Sequence, residues 1–281
     1  MSKRKIRYYF GRLNIIAVFD DKRNFLLKAL KTKSVLEFKN SIWGYFEISE
    51  IETDYGSFLS GYLVKYKPEF SEEVANPNTH SIEDQEVNNF IVAKSRFFLH
   101  IKSGIIIYHP VGNIISRETF TERFCKLFEH SLENMFVNAQ IQSIEEEYRI
   151  FDVIRSFEKI QRLHISLHPS NPSNRERWKR TDERLKQLGA SSYYEHYEVD
   201  PDIGNLDIVD DEDINSKITM ADDGYGRADI TGIFDGEVKT ISTSDNPICS
   251  QGLNDEVSPK DVLNYLSEKI KMIFNRFTNE N

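Results

Sequence analysis

Apolar residues over positions 6 to 109 recur at strand spacing, in runs cut by turn formers, and this limits the fold more than any other feature. The run 6 to 19 carries Tyr8, Phe10, Leu13, Ile15 and Val18, an aromatic and β-branched set suited to a pleated surface. Further strands are predicted at 34 to 39, 42 to 52 and 57 to 67, the last two joined by Thr53-Asp54-Tyr55-Gly56. Two more follow at 90 to 101 and 105 to 109. Such short connections join antiparallel neighbours, so the segment reads as a meander. One helix interrupts it, where Asp20 or Asp21 caps a stretch with Phe25, Leu26, Ala29 and Leu30 on one face. The polar, acidic stretch 68 to 89 around Pro77 reads as a mobile loop.

Helical spacing takes over at Ser116, a cap for Phe120, Phe124, Leu127 and Phe128. Beyond it the pattern predicts a strand at 137 to 144, a helix at 145 to 159, a strand at 163 to 167 and a helix at 175 to 188. A strand at 191 to 199 and a hairpin at 227 to 242, turning at Asp235-Gly236, come next. A long closing helix starts at Ser258 and Pro259, with Val262, Leu266, Ile270, Ile273, Phe274 and Phe277 as its stripe. The whole predicts an α+β fold, antiparallel sheets with packed helices, in two modules: 1 to 135, and 136 to 281 with an acidic segment and the closing helix.

Composition, 39% hydrophobic and 29% charged, excludes disordered and fibrous classes. No apolar run reaches the roughly 18 residues of a membrane span, and no small-residue cleavage site follows the first apolar patch, so a cytoplasmic protein is expected. Cys125 and Cys249 are too few for a disulfide framework and read as small buried hydrophobes.

Charge is strongly patterned within a net of −9. Ten Lys or Arg face two acids over 1 to 33, and nine face four over 155 to 188, whereas fourteen acids face Lys217 and Arg227 over 195 to 237. Two readings stand side by side. Opposite charges meet as solvated faces in the fold, or a basic groove holds a phosphate backbone while the acidic segment lies elsewhere or competes for it. In the second reading Lys3, Arg4, Lys5, Arg175, Arg177, Lys179, Arg180 and Arg184 are the candidate phosphate contacts. Trp178 either stacks on a base or, as expected here, packs with Leu185.

Three other strings carry possible chemistry. Asp229, Glu237 and Lys239 follow the order of a metal-dependent nuclease core, in which two carboxylates hold Mg²⁺ and a lysine steadies the phosphate. A solvent-facing hairpin explains them equally well, so magnesium is expected only under that alternative, and otherwise neither cofactor nor metal. His164, Ser166 and His168 share one strand face; a pair of His-x-Ser or His-x-Thr units serves phosphoester chemistry, but this chain shows one, so structural histidines are the default. Asp200-x-Asp202-x-Gly204 begins like a calcium loop, but its glycine falls a position early and Asp211 stands where a bidentate Glu belongs.

The string from Leu163 through His168-Pro169-Ser170-Asn171-Pro172 to Asn174, the run from Glu237-Val238-Lys239 to Asp245-Asn246-Pro247, and the closing amphipathic helix together resemble a bacterial family distantly similar to RexA, the exclusion protein of phage lambda. That resemblance implies a homodimer that binds DNA with little sequence preference and serves phage exclusion or antiviral defence, with a membrane or defence-system protein as partner. It supplies no catalytic residues, and this chain departs from it in its acidic total. The expectation is a non-catalytic nucleic-acid-binding protein, the alternatives being the nuclease and a protein-interaction or sensor module.

Overall fold

A computed structural model describes residues 6–17, 20–133, 135–147, 149–170, 175–200, 204–253 and 256–276. In chain order the elements are β1 (Ile6–Ile16), α1 (Lys22–Lys31), β2 (Val35–Phe38), β3 (Ser41–Thr53), β4 (Gly56–Asn76), β5 (Ser81–His100), β6 (Ile105–Tyr108), α2 (Arg117–His130) and β7 (Asn138–Ser143). There follow α3 (Arg149–Ile154), β8 (Lys159–Leu167), α4 (Lys179–Gln187), β9 (Tyr193–Glu198), α5 (Glu212–Met220), β10 (Gly226–Phe234), β11 (Glu237–Ser242), β12 (Cys249–Gly252), α6 (Pro259–Tyr265) and α7 (Ser267–Asn275). The strands form an eight-stranded sheet, β12-β1-β6-β5-β4-β3-β2 with β7 also on β1, and a four-stranded sheet, β11-β10-β8-β9. All pairings are antiparallel, so the fold is α+β as the patterning predicts.

The caps that the sequence advertises are made. Asp21, Ser116 and Ser258 accept from the backbone N–H three residues on, at the starts of α1, α2 and α6. On one face of the large sheet Phe25, Leu26, Leu30, Phe120, Phe124 and Phe128 pack with Trp43, Leu59, Leu63 and Phe97. Part of the other face lies under Val262, Leu266, Ile270 and Ile273, which join Tyr8, Phe10, Phe58 and Phe98. The small sheet buries Leu163, Ile165, Leu167, Ala228 and Ile230 with Trp178, Leu185, Ile214 and Ile218. Each such side chain contributes about 1.5–3 kcal/mol by leaving water. Cys125 lies in the first of these cores, as expected.

Four expectations need correction. Residues 68 to 89 form no mobile loop: β4 and β5 stay in register to the pair Asn76 and Ser81, as a two-stranded ribbon whose Phe70 stacks on Phe90 at 4.3 Å. The sheets do not divide the chain at 135, since β7 and β12 both pair with β1 and α6 and α7 pack on the large sheet. The acidic stretch contains α5, whose N-cap is Asp211 and whose first turn holds Glu212 and Asp213, where the helix dipole favours anions. The closing helix breaks at Leu266 (φ −86°, ψ 1°).

Candidate functional site

The predicted phosphate contacts meet different fates. Lys3, Arg4 and Lys5, like Asp202 of the calcium-like string, lie outside the described residues. Arg175 is a correction: it is 4% exposed and locked between Asp223 at 3.1 Å and Glu147, so it is no surface contact. Lys179 lies 3.4 Å from Glu176. Arg177, Arg180 and Arg184 are exposed, and Arg180 and Arg184, one turn apart, make no ion pair among the described residues. Trp178 packs in the core and donates its Nε1–H to Asp223 at 2.8 Å. Among the described residues the exposed members of the set are Arg177, Arg180 and Arg184, on α4 and the turn before it.

The nuclease trio is likewise not assembled. Asp229 opposes Ser242, whereas Lys239 opposes Gly232 and Glu237 opposes Phe234. Directly opposed residues share a face and neighbours alternate, so Asp229 lies on the face opposite to Glu237 and Lys239. Asp229 instead pairs with Arg227 at 2.8 Å. His164 lies beside His196, ring centroids 6.0 Å apart, and the buried His168 turns its Nδ1 to the Ser191 carbonyl at 3.2 Å. Asp211 is spent on its cap. Among the described residues no three His, Cys, Asp or Glu are grouped to hold a metal.

Two features unpredicted from sequence stand out. The first is a cleft of about 430 Å³ lined by Phe46, Tyr62, Val64, Tyr66, Ile91 and Lys94, with Glu47 and Asn89 at its edge. Tyr62, Val64 and Tyr66 continue the face of β4 that carries Phe58, beyond its helical cover. Register shifts after Phe46 in β3 and at Tyr66 in β4 bend the strands there. Glu47 and Asn89 hold φ of 54° and 55°, a left-handed conformation that non-glycine residues adopt at a cost of about 1–3 kcal/mol. Phe46 is 43% and Ile91 56% exposed, the Phe46 ring meets Tyr66 edge-on at 6.0 Å, and the Lys94 ammonium sits 4.7 Å from the Tyr62 ring centre.

The second is a buried charge cluster where the two sheets meet. A π-helical turn, Ala221–Tyr225, follows α5 and bends at Gly224 (φ 84°), where a Cβ would lie 2.9 Å from that of Arg12. From β1, Arg12 donates to the Asp223 carbonyl and Asn14 to the Gly224 carbonyl, each at 2.8 Å. Arg175 and Arg276 both reach the Asp223 carboxylate. Among the described residues its neighbour Asp222 and the nearby Glu145 make no ion pair. Desolvation pushes each of these carboxyls up to about 8; Asp223 adds to the rise at Asp222, while a backbone N–H from Asn246 partly offsets that at Glu145.

A family model described as a domain of unknown function, DUF4747, matches residues 6–275. The chain belongs to that family. The match takes in both sheets, the cleft and the junction, so each is part of a DUF4747 domain rather than an appendage to it. No curated protein matches the chain. Among the described residues no helix is long and apolar enough to cross a membrane.

Proposed function

We propose that this DUF4747 protein binds nucleic acid without cleaving it, taking an unpaired base into the cleft on the large sheet. The single observation that carries this reading is the cleft itself: the exposed Phe46 ring, with the half-buried Tyr66 edge-on to it, beside the exposed Lys94 on one sheet face. Its volume falls within the range of ligand pockets. Aromatic faces accept any base, and stacking contributes about 1–3 kcal/mol per base, which suits binding with little sequence preference. Lys94 serves a phosphate, while the exposed Arg180 and Arg184 offer a second contact for a longer strand. The acidic ribbon beyond Asn89 repels phosphates and turns the strand across the sheet. On the likeness to RexA the reading extends to DNA as ligand, a homodimer, and a part in phage exclusion.

Fluorescence anisotropy with labelled oligo(dT) tests it. Phe46→Ala should weaken binding about 5- to 100-fold and Lys94→Ala should lower the salt dependence, both in folded protein. Equal affinity in wild type and both variants would remove the cleft from the account.

The ribbon favours a second reading, a docking arm for a basic protein. Residues 68 to 89 hold six acids and no Lys or Arg, and Glu73 lies directly opposite Asp84, a like-charge pair that is destabilising without a partner. A protein captured from nuclease-treated lysate should be lost when Glu73 and Asp84 are both changed to Gln and Asn. Retention by that variant would contradict the arm.

A further inference from the structure

We propose that the pocket at the junction of the two sheets binds one divalent cation of the magnesium class, between the carboxylates of Glu145 and Asp222. This site is separate from the cleft and does not depend on the nucleic-acid reading. Both side chains line a cavity of about 40 Å³ with Arg149, Ser242, Thr243, Asp245 and Asn246. Glu145 and Asp222 are each only 4% exposed, yet Glu145 Oε1 and Asp222 Oδ1 have no hydrogen-bond partner among the described residues. A buried oxygen left this way costs about 1–3 kcal/mol, more if charged, and the two belong to residues of different elements that line one cavity.

The contrast with the adjacent residue sharpens the point. Asp223 receives Arg175, Arg276 and the Trp178 indole, so its charge is matched within the protein. Arg276 also donates to the Glu145 carbonyl at 2.7 Å, which keeps its guanidinium on the backbone side of that residue. Arg149, at the pocket wall, lies 3.7 Å from Glu146. The other Glu145 oxygen accepts from the Asn246 N–H at 2.7 Å, and this fixes the carboxylate's direction.

Chemistry selects the cation. The polar lining beyond the arginine is carboxylate, hydroxyl and amide, with no His or Cys, a donor set for a hard ion. A volume near that of one or two waters admits an ion and its retained water but not an organic ammonium with its chain. Carboxylate and hydroxyl oxygens with no His or Cys ligand suit magnesium, which binds through one or two carboxylates and completes its shell with water.

The test uses Mn²⁺ as probe on the full chain, its free concentration read by electron paramagnetic resonance. One equivalent should bind, Mg²⁺ should displace it, and Glu145→Gln and Asp222→Asn should each weaken it at least tenfold. Both amides relieve repulsion, so the variants should fold, which near-ultraviolet circular dichroism confirms. Failure of wild type to bind Mn²⁺ at millimolar concentration would show a pocket for water alone. Unchanged binding in both variants would assign the ion to surface carboxylates. Either result overturns the proposal.

Discussion

Arg175→Ala will destabilise the protein by about 3–5 kcal/mol, because it leaves a buried carboxylate short of a cation. Asp223 is 1% exposed and, among the described residues, keeps Arg276 at 3.4 Å and the Trp178 indole when Arg175 is gone. Glu147 loses its Arg175 contact and retains Arg276 at 3.8 Å. For a chain of this size the loss lowers the melting temperature by about 6–20 °C. Arg180→Ala, in the exposed first turn of α4, should change it by less than about 2 °C. Calorimetry of the two variants separates the roles that the sequence pattern merges. Equal melting temperatures would mean that Arg175 is not part of the junction.

The junction also sets a pH dependence of unusual sign. Glu145 and Asp222 have carboxyls raised to about 8 in the folded chain, against about 4 in an unfolded one. The fold therefore prefers them protonated. Their effect on stability is most favourable below about pH 4, falls as the unfolded carboxyls ionise, and levels off above about 8. The groups facing them are mixed: Asp223 and Glu147 reinforce the rise at Asp222 while Arg276 and Arg175 oppose it, and Asp222 and Asp245 reinforce that at Glu145 while Arg117 opposes it. In chelator-containing buffer, the melting temperature should decline from pH 5 to 8, and Asp222→Asn with Glu145→Gln should flatten that decline. A wild-type profile that rises over this range, or one the double variant leaves unchanged, would contradict the raised values.

Much of the fold is legible in the sequence because its signals are local. Strand runs, short turns and the caps at Asp21, Ser116 and Ser258 all lie within a few residues of what they control. The ribbon is not legible, since Phe70, Val74 and Val87 are sparse among acids that fall on both faces, and composition alone reads as loop. Helix α5 hides behind four consecutive acids that in fact belong at a helix start.

The site is less legible because its partners are distant. Arg175 meets Asp223 from 48 positions away, Arg276 from 53, and Arg12 reaches the same turn from 211. Two signals were available: an arginine inside the apolar first strand, and an Asp222-Asp223-Gly224 turn before a strand, each anomalous where it stands. Asp229, Glu237 and Lys239 show the converse, since one parity of register separates what sequence spacing places together. The cleft depends on bulges in neighbouring strands, which no pattern of apolar spacing reveals.

The central claim is that an unpaired base enters the sheet cleft. Ultraviolet crosslinking of a bromodeoxyuridine oligonucleotide to the full-length protein, read by peptide mass spectrometry, tests it at residue level. The account predicts adducts on Phe46 or Tyr66, competed away by unlabelled single strands. Adducts confined to α4, or spread over the surface with none in the cleft, would contradict it.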